Sequence, residues 1–247
     1  MRMINGVGIM KNIKKIKETT VENLKKAFPL IAAQISADGL CVLHKGRMAN
    51  ATVLRYRDES MDLTVKDFSG SPFIVRAIYG VLSTRAEYRA KKALKKAMGG
   101  SCGLYRLSPC SVAFDFVSGS SLNSVPQAVP PDYFVKMEKI VEKLHESGFV
   151  HLDLRNLGNM ILCKDGTPYI IDFQSCLPTK HMPAFLRRYL EKVDFSGIYK
   201  AWEKKCSVAL DLRRKKELDY VNGIRKFWVF RGYPLQHFLE RMKRKMR

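Results

Sequence analysis

The sequence is short of acids. It holds 23 Asp and Glu against 44 Lys and Arg, a net charge of +21 over 247 residues. Such an excess attracts polyanions: phosphorylated substrates, nucleic acid or an anionic membrane surface. It acts on partners and solubility and leaves the fold undetermined. No C-x-x-C pair occurs among Cys41, Cys102, Cys110, Cys163, Cys176 and Cys206, and no Cys/His cluster has zinc spacing. Scattered reduced thiols are the expectation. No apolar run approaches the ~20 residues of a membrane span. No unbroken apolar segment marks a secretory signal. A cytoplasmic protein is expected. Internal repeats and long low-complexity stretches are lacking as well. What is present is ordinary globular material, 46% apolar and 27% charged. That length suits one large domain or two small lobes with a real core.

Residues 9–28 have a helical period. Ile9, Ile13, Ile16, Leu24 and Ala27 or Phe28 recur among lysines, and Pro29 ends the segment. A basic amphipathic helix of this kind lies on an anionic membrane or packs on the lobe that follows, with its lysines in water. The packed reading is favoured. Four runs then look strand-like: LCVLHK, ATVLRYR, LTVKDF and PFIVRAIY, over residues 40–79. Residues 84–98 are predicted helical, with Ala and Leu in a stripe and Gly99-Gly100 as the stop. SVAFDFV at 111–117 is another predicted strand. It runs into Ser118-Gly119-Ser120-Ser121, a flexible stretch and the best boundary in the chain. Residues 132–147 form an amphipathic helix, with Pro131 in its first turn and Gly148 as its stop. Everything after about 183 is helix-like and basic. Residues 180–247 carry 19 Lys and Arg against 7 acids, so +12 of the net charge sits there. The run Arg213-Arg214-Lys215-Lys216 is most simply a solvated helix face.

Residues 151–173, HLDLRNLGNMILCKDGTPYIIDF, carry the chemistry. Met160–Cys163 and Tyr169–Ile171 are predicted arms of a hairpin, closed by Lys164-Asp165-Gly166-Thr167, where Asp-Gly is a strong turn signal. Asn159 precedes one arm and Asp172 follows the other, so both side chains can converge at one end. Carboxylate and amide oxygens are the hard ligands that Mg²⁺ prefers. Asp153 lies in the loop before Asn159, placed to orient or deprotonate a hydroxyl.

These residues resemble the protein-kinase-like superfamily. His151-Leu152-Asp153 is similar to the H-x-D of a catalytic loop, Asn159 to its metal-binding Asn, and Asp172-Phe173 to the D-F of the second metal motif. Asn159 and Asp172 are 13 residues apart, as is usual there. Asp153 and Asn159 are six apart, one more than H-R-D-x-x-x-x-N allows. The resemblance implies that Arg155 contacts the transferred phosphate. It implies a nucleotide lysine, Lys66 of LTVKDF, and a glutamate to aim it, Glu87, 21 residues on in the first turn of the next helix. Glu87 also completes a capping box with Thr84, but Lys66 upstream and the H-x-D downstream favour the catalytic role. Gly46 alone stands in for the usual G-x-G-x-x-G, with the backbone amides of 46–51 over the phosphates. The backbone groups of Asp115, Phe116 and Val117 fall where the hinge meets adenine, with Gly119 at the turn out of the site.

The fold so implied is α+β and bilobal. A basic N-terminal helix region (1–38) precedes a β-rich N-lobe with one helix (39–117) and a mainly helical C-lobe with a basic C-terminus (118–247). The implied activity is transfer of the γ-phosphate of ATP, with Mg²⁺, to a hydroxyl. Gln174 in place of Gly after Asp172-Phe173, and the lack of an A-P-E, leave a very short activation segment. That is similar to the atypical branch: RIO-type kinases, the Kdo and heptose kinases of lipopolysaccharide core, and the small kinase associated with tRNA threonylcarbamoylation. The acceptor is then a sugar hydroxyl on an anionic, lipid-linked glycan at the inner membrane face, or a protein Ser/Thr. A nucleotide-binding pseudokinase or scaffold is the alternative, motivated by the lone glycine and the extra loop residue. A nucleic-acid binder would explain the charge, but not Lys66, Glu87, Asp153, Asn159 and Asp172 together.

Overall fold

The computed structural model describes residues 2–46, 50–126 and 128–227, and within them the side chains of residues 13–225. The first part of the chain is a helix on a sheet. Helix α1 (Arg2–Ala27) leads through the single turn Pro29–Ile31 into β1 (Leu40–His44), β2 (Thr52–Arg57) and β3 (Asp62–Asp67). Residues 73–80 are helical, with a π turn over Val75–Gly80, and run straight into α2 (Val81–Met98). Then come β4 (Leu104–Ser108) and β5 (Ser111–Asp115), giving an antiparallel sheet of order β1-β2-β3-β5-β4.

The apolar positions Ile16 and Leu24 of α1 are buried with Leu54, Val65 and Ala113 of the sheet. Thr20, between them, donates to Asp67 at 3.1 Å. The face that would have met a membrane is spent on the protein. Ile9 and Lys11 lie outside the described side chains.

Two expectations fail here. PFIVRAIY is helical, not a strand. Pro72 starts it, and its carbonyl accepts the Arg76 amide at 2.9 Å. Proline at a helix start is pre-set for helical φ, and the apolar run hid that signal. Residues 119–121 are not a flexible stretch either. They form β6 (Gly119–Ser121), paired with the hairpin below. A Cβ on Gly119 would meet Ile161 Cγ2 at 2.5 Å and Leu162 O at 2.6 Å. The glycine serves close approach, not motion.

The second part is mainly helical. α3 (Pro131–Glu146) has Pro131 at its first position and ends before Gly148, at φ 85°. β7 (Phe149–Val150), β8 (Met160–Cys163), β9 (Pro168–Ile170) and β10 (Leu177–Pro178) are short. They make two small sheets, β6-β8-β9 and β10-β7. α4 (Ala184–Lys205) and α5 (Leu212–Phe227) complete the described chain. Residues 228–247 of the basic C-terminus lie outside it. The larger core joins Phe134, Val141 and Leu144 of α3 to Ile198 and Trp202 of α4, and Ala90 and Leu94 of α2 belong to it. So α2, which lies between β3 and β4 of the first sheet in sequence, is bound into the second core. Arg214 is not merely solvated. It donates to both oxygens of Glu138 at 2.8 and 2.7 Å, tying α5 to α3. No described helix is long and apolar enough to cross a membrane.

Candidate active site

Lys66 projects from β3 into a cleft of about 460 Å³ between the large sheet and the β8–β9 hairpin. Its Nζ donates to Glu87 Oε1 at 3.0 Å and to Asp172 Oδ1 at 2.7 Å. Residues from three parts of the chain, the outer two 106 residues apart, thus meet at one ammonium. Burial opposes the charge of Lys66. Glu87 and then Asp172 outweigh it and hold the group above the ordinary lysine value. Burial likewise pushes Asp172 up, but Lys66 and Gln174 leave its carboxyl below the ordinary value. Both therefore stay charged near neutrality.

Glu87 is buried to 1% exposure. Helix α2 starts at Val81, so Glu87 stands in its second turn, not its first. Thr84 lies inside the helix, and its buried hydroxyl has no hydrogen-bond partner. The capping box does not form, because a helix already running from residue 73 leaves no open amide there to cap.

The extra residue between Asp153 and Asn159 has a simple geometry. The Asn156 amide donates to Asp153 O at 3.2 Å, and the Asn159 amide to Asn156 O at 3.0 Å. Two tight turns follow one another and bring Asn159 back over Asp153. Asn159 Nδ2 then donates to the Asp153 carbonyl at 3.0 Å and to its Oδ2 at 2.8 Å. Asn156, at the joint, lines the cleft and accepts the Gly158 amide at 3.1 Å. On the hairpin side, the Ile171 amide donates to Asn159 O at 3.0 Å, which sets Asn159 beside Asp172.

Two residues here have positive φ without being glycine: Leu152 and Asp172, both at 65°. Asp tolerates this region, whereas Leu pays for it in strain. Asp194 of α4 holds Leu152 there. Its two carboxylate oxygens accept the His151 and Leu152 amides at 2.7 Å each, and His145 Nε2 lies 3.0 Å away. α4 comes this close because residue 197 is glycine: a Cβ would meet Leu154 C at 2.5 Å. His151 is buried, and burial lowers its pKa. Its neutral ring donates from Nε2 to Ile171 O at 3.2 Å and accepts the Asp153 amide at Nδ1, at 3.4 Å. It is a brace between the loop and the hairpin.

Phe116 and Val117 line the cleft with Leu43 and Val53 above and Ile161 below. The Phe116 amide is spent on Asp62 O at 2.9 Å. Asp115 does not face the cleft with its side chain: Oδ2 accepts the Gly103 amide at 2.6 Å. Arg155 is turned away too. Its guanidinium donates to Ser196 of α4 and Asn222 of α5, at 2.8 Å each. A role on the transferred phosphate does not fit that direction. Gly46 backs onto Asn50 and Ala51, which line the cleft. The amides of 47–49, expected over phosphates, lie outside the described residues.

Three contributors were not among the predicted site residues. Gln174 donates to Asp172 and accepts from Ser83 of α2 at 3.0 Å, so it ties the hairpin end to α2. Asn156 sat in plain view within the motif. Asp194 is one acid in a helix of mixed character, and only its burial marks it.

Solved structures similar to this chain include two of the Rio2 kinase from Chaetomium thermophilum. One is a complex with ADP/Mg²⁺ and phosphoaspartate: TM-score 0.52, 18% identity, over 79% of this chain and 65% of that one. The other gives TM-score 0.54 and 16% identity over 90% of this chain and 80% of that one. The chain therefore spans slightly less than two thirds of the first. No family profile matches the sequence, and no curated protein does. The fold is α+β and similar to that of these kinases, with an antiparallel sheet followed by a mainly helical part.

Proposed function

We propose that this protein is an ATP- and Mg²⁺-dependent kinase that moves the γ-phosphoryl group of ATP to a hydroxyl acceptor. One observation carries the reading: Lys66 is clamped by Glu87 and Asp172, within the same cleft where Asn159 holds Asp153. Phosphoryl transfer asks for positioning and charge neutralisation more than covalent help. Leu43, Val53 and Ile161 give the base an apolar slot that ends at Val117. Lys66, aimed by Glu87, reaches the non-transferred phosphates. Asp172 and Asn159 offer the few hard oxygens that suit Mg²⁺, which keeps waters and phosphate oxygens as its other ligands. When bound, the ion neutralises phosphate charge. Asp153, steered by Asn159 through Oδ2, accepts the proton of the acceptor hydroxyl as its oxygen bonds to phosphorus and ADP departs. His151 and Asp194 keep that loop in place.

The acceptor in this reading is anionic. Lys200 donates to the Arg155 carbonyl at 2.8 Å, beside the catalytic loop. Burial lowers the pKa of Arg155, with Arg225 adding to it; burial also lowers that of Lys200, with Arg155, Lys204 and Arg225 adding. Four cations thus crowd one flank of the loop. A phosphorylated lipid-linked glycan and an acidic protein segment both suit them. Incubation with γ-labelled ATP and a cell extract, split into lipid, protein and RNA fractions, separates the two. Label in lipid supports the glycan and label in protein the Ser/Thr acceptor. Asp153→Ala should lose the label in either case. ATP bound with no label transferred anywhere would return the protein to a nucleotide-binding scaffold.

A further inference from the structure

Behind the cleft is a second cavity, of about 150 Å³. It lies between α2, the sheet and β9. Phe114 and Tyr169 line both spaces, so they form the wall between them. The lining is apolar except at Lys91 and at the rim residue Lys95. Lys91 is one helical turn beyond Glu87 and is 92% buried, at 8% exposure. Its Nζ has no hydrogen-bond partner. It sits 4.0 Å from the ring centroid of Phe114, 4.7 Å from that of Phe173 and 5.5 Å from that of Tyr169. All three rings line this cavity. Ring faces attract a cation, yet they give it no acceptor. A buried ammonium without one is costly. The cavity reaches the surface at Met98, Gly100 and Cys102, where Met98 is half exposed.

We propose that this cavity binds a small monocarboxylate with a compact apolar body, its carboxylate paired with the Lys91 ammonium and its body against Phe114, Phe173, Leu104 and Ile140. The volume sets the size: an engineered apolar cavity of about 150 Å³ holds one benzene ring. The one buried cation of the lining, Lys91, sets the charge. One carboxylate neutralises it, whereas a phosphate dianion would leave a buried charge unpaired. The apolar walls reject small hydrophilic acids. Burial also lowers the Lys91 pKa to about 8, so a carboxylate partner would stabilise the charge that burial disfavours. The inference stands apart from the kinase reading, since no residue of the phosphate site is needed for it.

The probe is benzoate, titrated into the full chain at neutral pH by calorimetry, with benzyl alcohol as the uncharged counterpart. Saturable benzoate binding in the range of about 1 mM or tighter is expected, weakened about tenfold or more in Lys91→Met. Benzyl alcohol should bind both proteins alike. In the wild type, methyl NMR signals of Leu94, Leu104 and Ile140 should move on benzoate addition, a readout that needs no variant. Equal benzoate affinity in wild type and Lys91→Met, or no saturable binding with those methyls unmoved, would overturn the proposal.

Discussion

Lys66 and Lys91 are the two lysines buried beside this cleft, and they differ in what surrounds them. Lys66 is 6% exposed and Lys91 8%. Lys66 has two carboxylates within 3.0 Å. Lys91 has three aromatic rings and no acceptor. Burial pushes both pKa values down. At Lys66 the carboxylates reverse that, and at Lys91 they do not, so its pKa falls to about 8. Burial alone therefore does not decide what a lysine is for. Partners decide it. One is a fixed charge pre-aimed at phosphates. The other is an amine whose protonation follows its contents and the pH.

The comparison breaks first on the Lys66 side. Lys66→Met should lower ATP turnover by about 10²–10³-fold, as for removal of a pre-organised charge at a reacting phosphate. Far-UV circular dichroism should stay unchanged. Glu87→Gln comes next. It strips one of two counter-charges from a buried ammonium and should cost about 3 kcal/mol in urea unfolding, with turnover reduced but measurable because Asp172 still holds Lys66. A smaller effect is expected at Asp194→Asn. One of the two backbone amides would keep a neutral acceptor and the other would face the Asn NH2 group, at about 1.5–3 kcal/mol. The readout is kcat, which should fall more than KM rises, since the loop that carries Asp153 loosens.

Lys91→Met should act in the opposite sense. Replacing an unpaired buried ammonium by an apolar side chain of similar volume should stabilise the fold by about 1–3 kcal/mol, a rise in Tm of a few degrees. Lys91 faces Glu87, Lys66, Asp172 and Cys176. The sign follows from its pKa of about 8 in the folded state against about 10.4 unfolded. Below pH 8 both states are protonated and the full cost is present. Between about pH 8 and pH 10.4 the unfolded state binds the extra proton, so wild-type stability rises with pH. The advantage of Lys91→Met should therefore shrink from pH 7 to pH 10. Lys66, with its pKa raised, keeps its contribution below the unfolded value and loses it only as pH rises through the folded one. A Tm gap that stays constant over that range would show that Lys91 is paired after all.

How much of this was legible beforehand depended on distance along the chain. The hairpin over Met160–Ile170 was, because Asp165-Gly166 is local turn chemistry. So was the order Lys66, Glu87, Asp153, Asn159, Asp172, since the spacings are countable. The helical start at Phe73 was not. Its run of β-branched and aromatic residues pointed to a strand, and Pro72 alone pointed the other way. Asp194 was invisible, because its partners His151 and Leu152 lie more than 40 residues away. Arg155 was misplaced for a related reason. Sequence order put it beside the phosphate, but Ser196 and Asn222, both on later helices, draw it outward. Lys91 looked like any helix lysine. Only packing shows that it is inside.

The most direct test of the central claim uses the purified full chain, γ-labelled ATP and Mg²⁺, comparing wild type with Asp172→Ala. The wild type should transfer or release the γ-phosphate in a Mg²⁺-dependent way, and the variant should lose about 10²-fold or more of that activity while the circular dichroism spectra coincide. Equal turnover in the two proteins, or ATP bound by the wild type with its γ-phosphate intact, would contradict it.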